Sequence, residues 1–103
     1  MKSVMFVGYG SMAKKVHEML PENVVLSTVL VRPKSAESNK AEIGSAVNVI
    51  TTVDDLVEIP DLAIEMAGQN GLKEHAIKII ERGIPLGIIS VGAFPVDQFA
   101  IAL

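Results

Sequence analysis

Short apolar runs alternate along this chain with segments that have helical periodicity. The apolar runs are rich in β-branched residues, which is typical of parallel strands covered on both faces. They predict five strands, at Val4–Val7, Val24–Val31, Val47–Thr51, Leu62–Met66 and Leu86–Ser90. Any single run could also be a buried helix segment. The alternation with helices is what favours a parallel sheet with right-handed crossovers.

Two segments between the strands have the spacing of amphipathic helices. Ser11–Leu20 is followed by Pro21, which ends a helix. Asn70–Arg82 is followed by Gly83, the usual residue after a helix, and then by Pro85. The predicted apolar faces comprise Met12, Val16, Met19 and Leu20 in the first helix and Leu72, Ala76, Ile79 and Ile80 in the second.

The remaining segments carry weaker signals. Val53–Glu58 predicts a short helix with acidic residues in its first turn, where the helix dipole favours them. Arg32–Lys40 is polar and turn-like, and Phe94–Leu103 has the pattern of the start of a further helix. Lys14 and Glu18 are one helical turn apart and predict an ion pair.

Composition narrows the possible classes of protein. The chain has 103 residues, of which 50% are hydrophobic, a net charge of −3 and no cysteine. This size fits one domain, and the lack of cysteine excludes a disulfide framework and thiolate metal sites. The acidic balance argues against nucleic acid or an anionic membrane as a partner. The longest uncharged run, between Arg82 and Asp97, is too short to span a membrane, so we expect a cytoplasmic protein.

A glycine-rich turn joins the first strand directly to the first helix. Its pattern, G-x-G-x-x-A, stands in the strand–turn–helix context that dinucleotide binding requires. Gly8 permits a tight turn, Gly10 lets a pyrophosphate approach the helix N-terminus, and Ala13 allows close helix–strand packing. The residues expected to surround the pyrophosphate are Gly8, Tyr9, Gly10, Ser11, Met12 and Ala13. The alternative is a glycine turn with a purely geometric role.

The end of the second strand usually discriminates NAD from NADP, because an acidic residue there binds the free ribose hydroxyls of NAD. Here that place holds Arg32, followed by Lys34 and Ser35, and the next acidic residue is Glu37. A guanidinium can bind a 2′-phosphate through two hydrogen bonds. We therefore expect NADP to be preferred, with NAD as the other possible cofactor. The alternative interpretation is a solvated basic loop.

Two further strand ends lie where open α/β sheets bind ligands. Small residues at both ends leave room for the nicotinamide and its ribose, although ordinary turns are the alternative. The candidate residues are Ala67, Gly68 and Gln69 after the fourth strand and Ser90, Val91, Gly92 and Ala93 after the fifth.

Three segments carry a resemblance to the L-aspartate dehydrogenase family: GYGSMAKKV, IEMAGQNGLKEHAIKIIERGI and IISVGAF. The neighbouring homoserine dehydrogenase group shares the NAD-binding domain and is the nearest alternative. The resemblance implies a Rossmann-type doubly wound parallel sheet, with strand order 3-2-1-4-5, in a single α/β domain. It also implies hydride transfer between NAD or NADP and L-aspartate or iminoaspartate, which is linked to NAD biosynthesis in some organisms.

Members of that family continue into a second domain that carries the catalytic residues and most substrate contacts. No segment of residues 1–103 corresponds to it, so we expect a dinucleotide-binding domain that has no catalytic residues and is inactive alone. A stand-alone nucleotide-binding or sensor module is the alternative. The apolar side chains of Phe94–Leu103 predict a homodimer, or a contact with the C-terminal domain.

Neither the two histidines nor Glu65 carries a clear catalytic signal. His17 and His75 lie at the borders of apolar helix faces without a carboxylate cluster, so we expect structural roles and no metal site. Glu65 ends an apolar strand, where a carboxylate is costly unless it is paired.

Overall fold

The structure, a computed structural model, describes residues 1–66, 69–88 and 100–102. Strands β1 to β6 comprise Lys2–Val7, Val24–Leu30, Asn48–Ile50, Leu62–Glu65, Leu86–Ile88 and Ala100–Ala102. Helices α1 to α3 comprise Ser11–Glu18, Pro33–Ile43 and Gln69–Glu81, and a 3₁₀ turn spans Val53–Asp55. Within these ranges, no helix has the length and apolar character needed to cross a membrane.

The strands form one sheet with the order β3-β2-β1-β4-β5-β6. The first five strands are parallel, and their order confirms the predicted 3-2-1-4-5 arrangement. β1 lies at the centre, between β2 and β4, so its carboxyl end is flanked by those of both neighbours. This is the topological switch point at which open α/β sheets bind ligands.

The sixth strand corrects the sequence prediction. Ala100–Ala102 runs antiparallel beside β5, with Ile88 opposite Ala100. The predicted helix at Phe94–Leu103 is therefore wrong over these three residues, and residues 94–99 and 103 lie outside the described ranges. The reason is that the edge of β5 offers unpaired backbone donors and acceptors, a partner that local spacing does not reveal.

Each face of the sheet has its own apolar core. Val4 and Phe6 of β1 belong to the cluster that includes Ala13 of α1 and Ala36 of α2. Met5 and Val7 point to the opposite cluster, which includes Ile79 of α3 among its members. Phe6 and Met5 are fully buried. Both faces are thus covered by helices, which explains why the strands read as continuous apolar runs.

Helix α2 corrects a second prediction. Residues predicted to form a polar turn instead form a helix that begins at Pro33 and ends before Gly44, whose φ of +88° favours glycine. Proline at the first helical position fits because its fixed φ suits the helix and its missing N–H is not needed there. The buried residues of this helix are Ala36 and Asn39, which are small or polar, and Ile43 at its end packs against the core only in part, so the helix lacks a continuous apolar face.

Two apolar side chains are more exposed than the helical pattern predicts. Met19 is 79% exposed because α1 ends at Glu18, so Met19 no longer follows the helical spacing. Ile80 is 39% exposed, at the edge of the buried face of α3. Gly83 has a φ of +78°, which confirms it as the residue that ends α3.

Candidate functional site

A cleft of about 520 Å³ opens at the carboxyl ends of β1 and β2 and extends between α1 and α2. Six of the residues predicted to bind cofactor line this cleft: Gly8, Tyr9, Gly10, Arg32, Lys34 and Ser35. The structure therefore brings the glycine turn and the basic segment after β2 together around one space.

Gly8 makes the tight turn out of β1. Its φ is +95°, in the left-handed region that side chains disfavour. Its N–H donates to the Leu30 carbonyl at 2.7 Å, which ties the turn to the end of β2. The backbone conformation itself therefore requires glycine at this position.

Gly10 is glycine for a different reason. Its φ of −86° is open to any residue, and a Cβ built on it would meet no atom within 4 Å. Neither the conformation nor the packing of the fold therefore demands glycine here. The missing side chain instead leaves open space in front of the first turn of α1.

That open space faces backbone N–H groups at the start of α1. The amide of Lys14 donates to the Gly10 carbonyl at 3.0 Å and is the first to bond within the helix. The N–H groups of the preceding residues have no partner within the helix, and they carry the positive end of its dipole. Such an arrangement binds phosphate, and this cleft therefore fits the pyrophosphate of a dinucleotide.

Ala13 brings α1 close to the sheet. It is only 1% exposed and packs in the same cluster as Phe6. Met12, half-buried, packs against that cluster as well, whereas Ser11 is exposed at the helix start. The small side chain of Ala13 thus does what the third glycine of the motif does, since it permits close helix–strand packing.

The basic segment after β2 is the N-terminus of a helix. Arg32 is exposed and extended immediately before α2, and its carbonyl accepts a hydrogen bond from the Ser35 N–H at 2.9 Å. Lys34 is exposed in the first turn, and Ser38 lines the cleft one turn further along. Two cationic side chains and the dipole of α2 therefore make this end of the cleft positive.

Tyr9 forms one wall of the cleft and is held from behind by α1. Its hydroxyl lies 2.9 Å from Nδ1 of His17, whose ring also packs edge-on against Phe6. Burial raises the pKa of the Tyr9 hydroxyl, and the nearby Glu42 carboxylate raises it further. Tyr9 is therefore protonated at neutral pH. His17 serves to orient its ring.

The predicted nicotinamide side lies mostly beyond what the structure describes. Ala67, Gly68 and the segment Ser90–Ala93 are outside the described residues, and Gln69 is described only as the first residue of α3. Glu65 is 2% exposed at the carboxyl end of β4. Binding of the nicotinamide and its ribose at these positions therefore stays a prediction.

Five residues that line the cleft were not predicted from the sequence to bind the cofactor. They are Lys14, Ser38, Asn39, Glu42 and His75. Three of them belong to α2, and their three- and four-residue spacing would have placed them near Ser35 if the segment had been treated as a helix. Among the described side chains, no group of three or more His, Cys, Asp or Glu residues is placed to hold a metal ion.

A central parallel strand, a glycine turn opening a helix and a cleft at the switch point together define a dinucleotide-binding domain of the Rossmann class. A family model described as homoserine dehydrogenase, NAD binding domain, matches residues 8–101. The chain belongs to this family, and the cofactor that the family binds is a nicotinamide dinucleotide.

Relatives that match this chain are L-aspartate dehydrogenases of several bacteria. The chain is 69% identical, over 103 residues, to the L-aspartate dehydrogenase of Psychrobacter cryohalolentis and spans 39% of its length. It is 36% identical to that of Acinetobacter baumannii over 103 residues, again 39% of that protein. The Serratia proteamaculans enzyme is 37% identical over 93 residues, which are 90% of this chain and 35% of that protein. No solved structure was found to match.

Proposed function

We propose that this chain is the cofactor-binding part of an oxidoreductase that transfers a hydride between a nicotinamide cofactor and L-aspartate or iminoaspartate. The observation that carries the proposal is the cleft that joins the glycine turn to the positive N-terminus of α2. The names of the relatives supply the substrate, since a relative that is 69% identical to this chain is an L-aspartate dehydrogenase.

Hydride transfer needs a substrate held against the nicotinamide, and that requires more than a cofactor site. The chain spans 39% of the Psychrobacter relative. We infer that the substrate-binding and catalytic groups belong to a second domain in the remainder of such a protein. Residues 1–103 alone should then bind cofactor without turning over substrate.

The family description supports a second candidate, an enzyme of the homoserine dehydrogenase kind. NADPH oxidation by the full-length protein separates the two candidates. Turnover with oxaloacetate plus ammonia, and none with aspartate semialdehyde, is the expected result. The reverse preference would replace the aspartate proposal with the homoserine one. Cofactor binding without turnover of either substrate would favour a nucleotide-binding module that performs no catalysis.

For the cofactor, we propose a preference for NADP over NAD. The described lining of the cleft contains three cations, Lys14, Arg32 and Lys34, against one carboxylate, Glu42. Arg32 stands where NAD-binding domains usually carry the acidic residue that binds the ribose hydroxyls. A 2′-phosphate there would meet a guanidinium, the Ser35 hydroxyl and the N-terminus of α2.

Calorimetric titration of the wild type and Arg32→Ala with NADP⁺ and NAD⁺ tests this preference. Loss of a charged hydrogen bond of about 1.5–3 kcal/mol should weaken NADP⁺ binding about 10- to 100-fold. NAD⁺ affinity should change little. Arg82→Ala is the matched control, because it removes the same charge from an exposed residue at the end of α3. Equal NADP⁺ affinity in the wild type and Arg32→Ala would overturn the NADP preference.

Two further expectations stay predictions. Association through Phe94–Leu103 rests on its apolar side chains, and light scattering of the full-length protein over a range of concentrations tests it. A monomer at all concentrations would contradict it. A cytoplasmic location likewise rests on the sequence alone.

A further inference from the structure

The cofactor cleft contains an ion pair that joins its two helices. The Lys14 ammonium of α1 contacts the Glu42 carboxylate of α2, and both residues line the cleft. Their side chains are 41% and 46% exposed, so water reaches the pair. This contact replaces the Lys14–Glu18 pair that the helical spacing predicts.

Lys14 lies next to the glycine turn. Its N–H donates to the Gly10 carbonyl, which fixes its backbone one turn after the space left open at Gly10. Its ammonium lies 5.9 Å from the centroid of the Tyr9 ring. Since His17 holds that ring, the ammonium is kept beside the cleft between an aromatic wall and the Glu42 carboxylate.

An anionic ligand can replace the Glu42 carboxylate as the partner of the Lys14 ammonium. Exposed ion pairs contribute little to stability because water screens them and the side chains lose freedom. A hydrogen bond from an ammonium to a phosphate in a partly enclosed cleft is stronger.

We propose that Lys14 is a phosphate-binding residue of this cleft and that Glu42 is its competitor for the bound phosphate. The inference rests on the proposed function, because it takes the ligand to be the nicotinamide dinucleotide. Glu42 pairs with the ammonium when no phosphate is bound, and cofactor binding exchanges the carboxylate for a phosphate. Glu42 thereby lowers cofactor affinity without contributing a contact to the cofactor.

A double-mutant cycle in the full-length protein tests the exchange, with NADP⁺ affinity measured by calorimetry. Lys14→Met should weaken binding about 10- to 100-fold, and Lys14→Arg, which keeps the cation, should retain most of it. Glu42→Gln should tighten binding about two- to fivefold, since it frees the ammonium. In the Lys14→Met background, Glu42→Gln should have no effect.

Glu37→Gln is the matched control. It removes the same charge from the same helix, but Glu37 is 91% exposed and pairs with Lys40 at 3.7 Å. Its NADP⁺ affinity should equal that of the wild type. If it tightens binding as much as Glu42→Gln does, the effect is one of net charge and the exchange is wrong.

Three other results would overturn the exchange of Glu42 for a phosphate. Tightening by Glu42→Gln that persists without Lys14 would show a direct repulsion and overturn the exchange. Unchanged affinity in Lys14→Met, with normal binding by the wild type, would overturn this inference and leave the proposed function intact. Failure of the wild type to bind either NADP⁺ or NAD⁺ would overturn both.

Discussion

A substitution at Gly10 should affect cofactor binding while leaving the stability of the fold nearly unchanged. Substitution by alanine adds one methyl group where no atom of the described structure lies within 4 Å. The φ of −86° accepts alanine without strain. The folded protein should therefore tolerate Gly10→Ala, whereas a pyrophosphate at the turn would meet the new methyl group.

The expected change in stability is small and has opposing parts. Gly10 is the residue immediately before α1, and at that capping position alanine stabilises a helix less than glycine does, by about 0.5–1 kcal/mol. Alanine also lowers the conformational entropy of the unfolded chain, which stabilises the folded protein by about 0.4–1 kcal/mol. The net change should lie within about 1 kcal/mol, which for a domain of this size shifts Tm by at most about 5 °C.

The expected change in affinity is larger. A Cβ at Gly10 would keep a phosphate from the N–H groups at the start of α1. Loss of one charged hydrogen bond of about 1.5–3 kcal/mol weakens binding about 10- to 100-fold. NADP⁺ and NAD⁺ should both be affected, because the pyrophosphate is common to them. Calorimetric titration and thermal unfolding of the same full-length preparations measure the two quantities.

Gly83→Ala is the control with the opposite behaviour. Gly83 has a φ of +78° at the end of α3 and does not line the cleft. Alanine in that conformation should cost about 1–2 kcal/mol and lower Tm, while cofactor affinity stays unchanged. Wild-type affinity in Gly10→Ala would refute the placement of the pyrophosphate at this turn.

Two further variants test an exposed group of ion pairs beside α3 and the packing of α1 on the sheet. Hydrogen bonds from Lys78 and Arg82 lower the pKa of the Asp54 carboxyl below that of a free carboxyl. The ionised carboxylate therefore stabilises the fold at pH values above the pKa of the free carboxyl. This stabilisation is lost as the pH falls through the lowered pKa of the folded protein. Asp54→Asn should therefore lower Tm at pH 7, and the difference should close below about pH 4; an equal difference at both pH values would contradict this. Ala13→Leu should destabilise by about 1–3 kcal/mol through overpacking, measured by urea denaturation, because Ala13 is 1% exposed. The exposed Lys15→Leu, two residues on, should change stability far less, and an equal loss in both would indicate that helix–sheet contact is not the cause.

The sequence was most informative where structure depends on neighbouring residues. The glycine turn is local, since the φ of Gly8 and the start of α1 depend on a few consecutive residues. The end of α3 at Gly83 is local for the same reason. Five apolar runs and their alternation with helices also predicted a parallel sheet with right-handed crossovers, whereas the strand order was implied by the family resemblance.

The errors arose where an element depends on a distant partner. The helix Pro33–Ile43 buries Ala36 and Asn39 against the sheet, and neither residue gives the apolar signal by which helices are recognised. Ala100–Ala102 is a strand because β5 has an edge to pair with. In both cases the local pattern permits another conformation, and packing or hydrogen bonding with remote residues selects the observed one.

The sequence by itself determined the α/β class, the parallel sheet and the position of the glycine-rich turn. Only the tertiary structure decided which residues surround that turn. Lys14 and Glu42 lie far apart in the chain and meet because α1 and α2 cover the same face of the sheet. Arg32 and Gly10 share a cleft because β1 and β2 are adjacent parallel strands whose carboxyl ends meet at one edge. Periodicity specifies each element, whereas packing specifies which elements meet, and the cleft exists only where they meet.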